Sequence, residues 1–156
     1  MKKIIAVYAD LDKECNGIGH LRTTVTDAMT GEVLHTIEHE RATVYAGLIM
    51  GITWAWLSVA PEVIYTNNTA VYSAFMREYR PAYFTFHDGL DLATKSHLAW
   101  CENKVNELGT TPPLQLWRKS EMNYTDIRAS FEYLRQTPRR IKFVEDFDLA
   151  PCNYDE

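Results

Sequence analysis

Cysteine is the first shortage. Only Cys15, Cys101 and Cys152 occur in 156 residues, an odd number with no metal-ligand spacing, which predicts reduced thiols in a cytoplasmic protein rather than a disulfide framework. Basic residues are in deficit as well. Sixteen Lys and Arg against 21 Asp and Glu give a net charge of -5, which argues against coating nucleic acid by nonspecific phosphate neutralisation and leaves only a local basic surface. No stretch is dominated by Gly, Ser, Pro or one charge, so neither a linker nor a repeat array is indicated. The opening apolar run is too short for a signal peptide and ends in Asp10, so it reads as a strand. Without a secretory signal, the acceptor patterns Asn67-Asn68-Thr69 and Asn123-Tyr124-Thr125 carry no weight.

Two chemistries also lack their residues. No Ser or Cys sits in a recognisable nucleophile turn, so acyl transfer has no support. His35 and His39 lie four apart on an expected strand whose neighbours supply no third ligand, and His20, His87 and His97 are scattered, so zinc is not expected. Charge is missing altogether from Ala42 to Pro61, a run long enough to raise the question of a membrane span. Gly47, Gly51, Thr53 and Ser58 dilute its hydrophobicity, and Pro61 leads into another strand-like run. A central helix buried on both sides, and no membrane, is the reading.

What is present is enough apolar sequence, 46% of residues, for one sizeable core. Ile4 to Asp10 reads as a strand, Asn16 to Gly19 as a turn, and Leu21 to Ala28 as a second strand with Thr23, Val25 and Asp27 facing away from Thr24, Thr26 and Ala28. Thr30-Gly31 closes a hairpin onto a third strand, Val33 to Ile37. A helix from Thr43 to Val59, a strand from Glu62 to Thr66 and a short helix through Val71, Phe75 and Met76, stopped by Pro81, form a crossover, with the new strand parallel to the first. Asp88 is the expected N-cap of a helix with Leu98, Cys101, Val105 and Leu108 on one stripe and Gly109 as its stop. Leu114 to Arg118 alternates as a fifth strand, and Thr125 caps a last helix bearing Ile127, Phe131 and Leu134. Beyond it, Ile141, Phe143, Phe147 and Leu149 are evenly spaced, so the tail could add an edge strand or pack on the domain.

Several local patterns fall in a telling order. Asp10 ends the first strand, Gly17-Ile18-Gly19 follows, and Thr30-Gly31-Glu32-Val33-Leu34 forms the second hairpin. Thr43-Val44-Tyr45-Ala46-Gly47-Leu48-Ile49-Met50-Gly51-Ile52 opens the central helix, and Val63-Ile64-Tyr65-Thr66-Asn67-Asn68-Thr69 joins the fourth strand to a short helix. Leu116-Trp117-Arg118-Lys119 and Asp126-Ile127-Arg128-Ala129-Ser130 complete the set. From Lys3 to Arg135 the chain resembles the ribonuclease H-like family. The resemblance implies an α/β fold with a five-stranded mixed sheet, βββαβα-α-β-α, and helices on its faces, over residues 1–136, with 137–156 as a C-terminal tail.

The same resemblance locates the family's metal-binding acids. Asp10 is kept, but Val44 stands at the helix Glu, Asn67 at the Asp after the fourth strand and Ser130 at the last acid, where Glu121 or Asp126 is the alternative counterpart. Family members hold two Mg²⁺ ions, which at about 4 Å repel by roughly 17 kcal/mol even at an effective dielectric of 20, so several anionic ligands are needed. Val44 offers no donor, and Asn67 and Ser130 offer neutral ones. The expectation is therefore an apparently inactive member, with no cofactor, that binds a partner protein or a structured nucleic acid (RNA or DNA). Its size and divergence fit an accessory protein of a phage or mobile element. The alternative is an active Mg²⁺-dependent nuclease in which Asp12 and Asp126 swing in beside Asp10. Arg77, Arg80, Tyr83, Lys119 and Arg128 are the nucleic-acid-binding candidates, because charge and stacking surface lie close together there.

Overall fold

The computed structural model describes residues 3–76 and 89–116. Three strands, β1 (Ile4–Cys15), β2 (Ile18–Asp27) and β3 (Val33–Ala42), form an antiparallel meander. The first hairpin turns on two residues, Asn16 and Gly17, with φ of 55° and 83°. That is the Asn-Gly primed turn whose twist matches its flanking strands. It is shorter than the expected Asn16–Gly19 turn, because Ile18 already pairs with Cys15. The register slips between Asp12 and Cys15, with Lys13 at φ 53°. Gly19 sits against this bulge, where a Cβ would meet the Asp12 carbonyl oxygen at 2.7 Å and Glu14 Cα at 2.9 Å. The second hairpin is organised by Asp27, whose Oδ1 accepts from the Met29 and Thr30 amides and whose Oδ2 meets Lys3 Nζ at 3.2 Å. Burial pushes the Asp27 carboxyl up, but these hydrogen bonds and Lys3 outweigh it and hold it low.

Helix α1 (Val44–Ser58) matches the expected central helix. The Thr43 hydroxyl accepts from the Ala46 amide at 3.1 Å, satisfying one of the helix's unpaired first-turn donors. Its middle is buried nearly all round because it packs on β1 and β2 on one side and on α3 (Leu92–Leu108) on the other. Gly47 and Gly51 make that approach close: Thr23, Leu21 and Val7 occupy the space their side chains would need. No helix among the described residues is long and apolar enough to cross a membrane.

After α1 the chain adds β4 (Val63–Thr66) parallel to β1, then α2 (Thr69–Met76), α3 and β5 (Leu114–Leu116), parallel to β4. The five-stranded mixed sheet runs β3-β2-β1-β4-β5, the expected α/β architecture. Ile5, Val7, Ala9, Leu21 and Val25 join the main core with α1, while Ala6, Ala28 and Tyr65 form a smaller cluster with Ile4, Tyr8 and Val63. All ten residues of β2 are buried, so its two faces are both covered rather than one facing solvent.

Other expectations need correction. The N-cap of α3 is Asp91 rather than the expected Asp88: its carboxylate accepts from the Thr94 amide (2.7 Å) and from the Arg41 amide on β3 (3.1 Å). Leu108 leaves the buried stripe of Thr94, Leu98, Cys101 and Val105 and is 43% exposed in the last turn, before Gly109 stops the helix at φ 66°. Cys101 is free and buried, its thiol pushed up to about 11 by burial. Cys15 is disulfide-bonded, so it is not a reduced thiol. The helix stop at Pro81, the final helix after Thr125 and the tail lie outside the described residues.

Candidate functional site

The sequence directs attention to Asp10, which lies inside β1 rather than at its end, because the strand goes on pairing with β2 as far as Cys15. Side chains alternate along a strand, and Ile5, Val7, Ala9 and Leu11 pack toward the α1 core, which sends Asp10 and Asp12 to the opposite face together. Across the ladder Asp10 pairs with Arg22 and Asp12 with His20, and Arg22 in turn pairs with Glu38 on β3. His20 Nε2 lies 3.1 Å from Glu38 Oε1. The face thus carries a row of alternating charge, Asp10, Arg22 and Glu38, in the middle of which Arg22 is only 8% exposed.

Val44 begins α1 and is partly buried against the main core, so its side chain is spent on packing. Asn67 is exposed just past β4. The pairing of Ala6 with Tyr65 brings Asn67 level with Tyr8, so Asp10 lies two residues, about 7 Å, farther along. Asn68, not Asn67, does the local work: its Oδ1 accepts from the Val71 amide at 3.0 Å and starts α2.

The described residues at the aligned acid positions carry one carboxylate. Asp10 supplies one carboxylate, Val44 none, Asn67 a neutral amide, and the guanidinium of Arg22 stands on the neighbouring strand, where a further cation is repelled. Among the described residues no three His, Cys, Asp or Glu converge as a metal-ligating set. Ser130 and Asp126 lie outside the described residues, as do Arg77, Arg80, Tyr83, Lys119 and Arg128.

A second constellation was invisible in the sequence. His39 Nε2 on β3 lies 3.1 Å from His97 Nδ1 on α3, with ring centres 5.3 Å apart and planes inclined by 60°. His35, two positions beyond Ile37 on the same strand, stacks on Trp54 of α1 at 4.2 Å, and His97 meets Trp100 edge-on. Burial lowers the pKa of all three histidines. Asp91 opposes the shift at His39, while His39 and His35 add to it at His97. Burial alone would raise the Asp91 carboxyl; hydrogen bonds from Thr94 and Arg41, with His39 nearby, hold it below its ordinary value.

The strand order, with its meander followed by two parallel additions, defines a class: an α/β domain of ribonuclease H-like architecture. No family model and no curated protein matches the chain. Among solved structures, one that resembles it is ribonuclease H1 from the halophilic archaeon Halobacterium salinarum, at 11% identity and a TM-score of 0.47, covering 88% of this chain and 100% of that one.

Proposed function

We propose that the chain is a non-catalytic ribonuclease H-like binding module, for a partner protein or a structured nucleic acid. The observation that carries this reading is the middle of β1, where the one retained acid, Asp10, faces Arg22 across the ladder while Val44 is packed against the core. A carboxylate placed across the ladder from a guanidinium serves a pleated sheet as cross-strand charge complementarity, a use different from that of a two-ion clamp. A protein partner is favoured by the net charge of -5 and by the exposed apolar side chains of α3, Leu92 at 78% and Trp100 at 47%. The competing nuclease reading draws on Asp10 and Asp12 sharing a face, with Asp126 as the further carboxylate and Mg²⁺ as the cofactor.

The test is calorimetric titration with Mg²⁺ and Mn²⁺, with and without RNA–DNA hybrid, paired with a cleavage assay on the same protein. The expected result is neither cleavage nor stoichiometric metal binding, and an Asp10→Asn variant that keeps its fold and its binding. Cleavage that Asp10→Asn abolishes would overturn the proposal. Hybrid binding that weakens steeply with salt, without cleavage, would assign the module to nucleic acid rather than protein.

A further inference from the structure

The edge strand β3 and helix α3 meet at two points. Asp91 ties the helix start to the backbone of Arg41, which donates its amide to Oδ2 and accepts the Asp91 amide at 3.1 Å. Six residues on, His39 and His97 face one another. We propose that this histidine pair is an acid-sensitive clasp, closed near neutral pH and opened when both rings are protonated, so that α3 loosens from β3.

The geometry is that of a hydrogen bond. Two imidazoles whose nitrogens point straight at each other at this distance have centres about 5.4 Å apart. The observed 5.3 Å is close to that. A N–H···N bond needs one donor and one acceptor, which two neutral rings supply and which survives a single added proton. The second proton leaves two donors and two like charges in contact, and the bond is lost.

The neighbours set the direction. Asp91, at the start of α3, favours the charged form of His39, and His35, on the same face of β3, disfavours charge on His97. Helix α1 packs on His35 through Trp54 and contributes no charged side chain. On α3, Lys104 sits over the far ring, Trp100, at 5.8 Å and pairs with Glu107, while Glu38 of β3 is engaged with His20. Burial outweighs Asp91, so both rings hold protons more weakly in the folded chain than at the ordinary value of 6.5. The unfolded state therefore takes up more protons below that value. The clasp's contribution is present above pH 6.5 and is lost as pH falls through the lowered folded values.

The experiment is amide hydrogen exchange at pH 7.5 and 5.5, corrected for intrinsic exchange, together with nitrogen-detected NMR titration of the histidine rings. Expected is exchange at least tenfold faster at the lower pH for the amides of Thr94 to Leu98, with His39 and His97 titrating as a coupled pair. The double variant His39→Gln, His97→Gln should lose that acid response while keeping its neutral-pH exchange. The same acid response in the double variant would overturn the proposal. So would independent titration of the two rings near 6.5 in the unaltered protein, a measurement that needs no variant to fold. Stoichiometric Zn²⁺ that shifts both rings at neutral pH would replace the clasp with a metal site and overturn it equally.

Discussion

Replacing Gly51 by alanine sets two physical effects against each other. Alanine is favoured over glycine inside a helix by about 1 kcal/mol, and Gly51 lies in the middle of α1, so propensity alone predicts stabilisation. Packing predicts the reverse. A Cβ at Gly51 would lie 2.7 Å from both Thr23 Cγ2 and Val7 Cγ1, about 1 Å inside ordinary carbon contact. Both neighbours are β-branched, fully buried and held in a paired ladder, so neither can turn aside without leaving its rotamer. The helix must lift instead, loosening the core from Val7 to Ile52. Overpacking of this kind costs about 1–3 kcal/mol and, for steric overlap with stiff neighbours on both sides, belongs at the upper end. The net expectation is a loss of about 1–2 kcal/mol, or a Tm lower by about 3–8 °C for a chain of this length. Urea denaturation with an unchanged m-value, beside Ser96→Ala on the exposed face of α3 as a propensity control, measures it. A Gly51→Ala protein as stable as the parent, or more so, would refute the close helix–sheet approach.

Two other perturbations probe the seam and the core. Asp91→Ala removes the α3 cap and the tie to Arg41 together and should cost about 1–2 kcal/mol by denaturant unfolding, whereas Asp91→Asn should retain most of the stability. Because the folded Asp91 carboxyl is held below its ordinary 3.8, its contribution is present above that pH and fades as pH falls through the lowered value, well below the window in which the histidine pair acts. The Cys101 thiol, buried and raised to about 11, should resist alkylation at pH 8 in the folded protein and react at the ordinary rate in denaturant; rapid labelling of the native chain would contradict its burial.

The central helix was legible almost to the residue because charge vanishes across it. The first turn was legible in place but not in length, since of the four residues expected there Asn16 and Gly17 alone take positive φ while Ile18 already pairs with Cys15. Strand ends were less so. β1 continues to Cys15 and β3 to Ala42 through Asp, Lys, Glu, His and Arg, which carry no apolar alternation yet still pair in the ladder. Asp88 and Asp91 are equivalent as local capping signals, and only the bond to Arg41, 50 positions away, decides between them. The acid positions could be aligned from sequence, but that Arg22 stands opposite Asp10 required the register. His39 and His97 are 58 residues apart on elements of different periodicity, and no local pattern links them.

The meander with α1 laid across it has a consequence for how the chain is made. Within the meander β1, β2 and β3 pair with their neighbours in sequence, and α1 follows them directly, so most of the main core can assemble from the first sixty or so residues. β4 and β5 then join in the order in which they leave the ribosome, each onto an edge that already exists. The glycine groove of α1 is therefore filled early, by strands already synthesised, and the later segments inherit a finished surface to dock on.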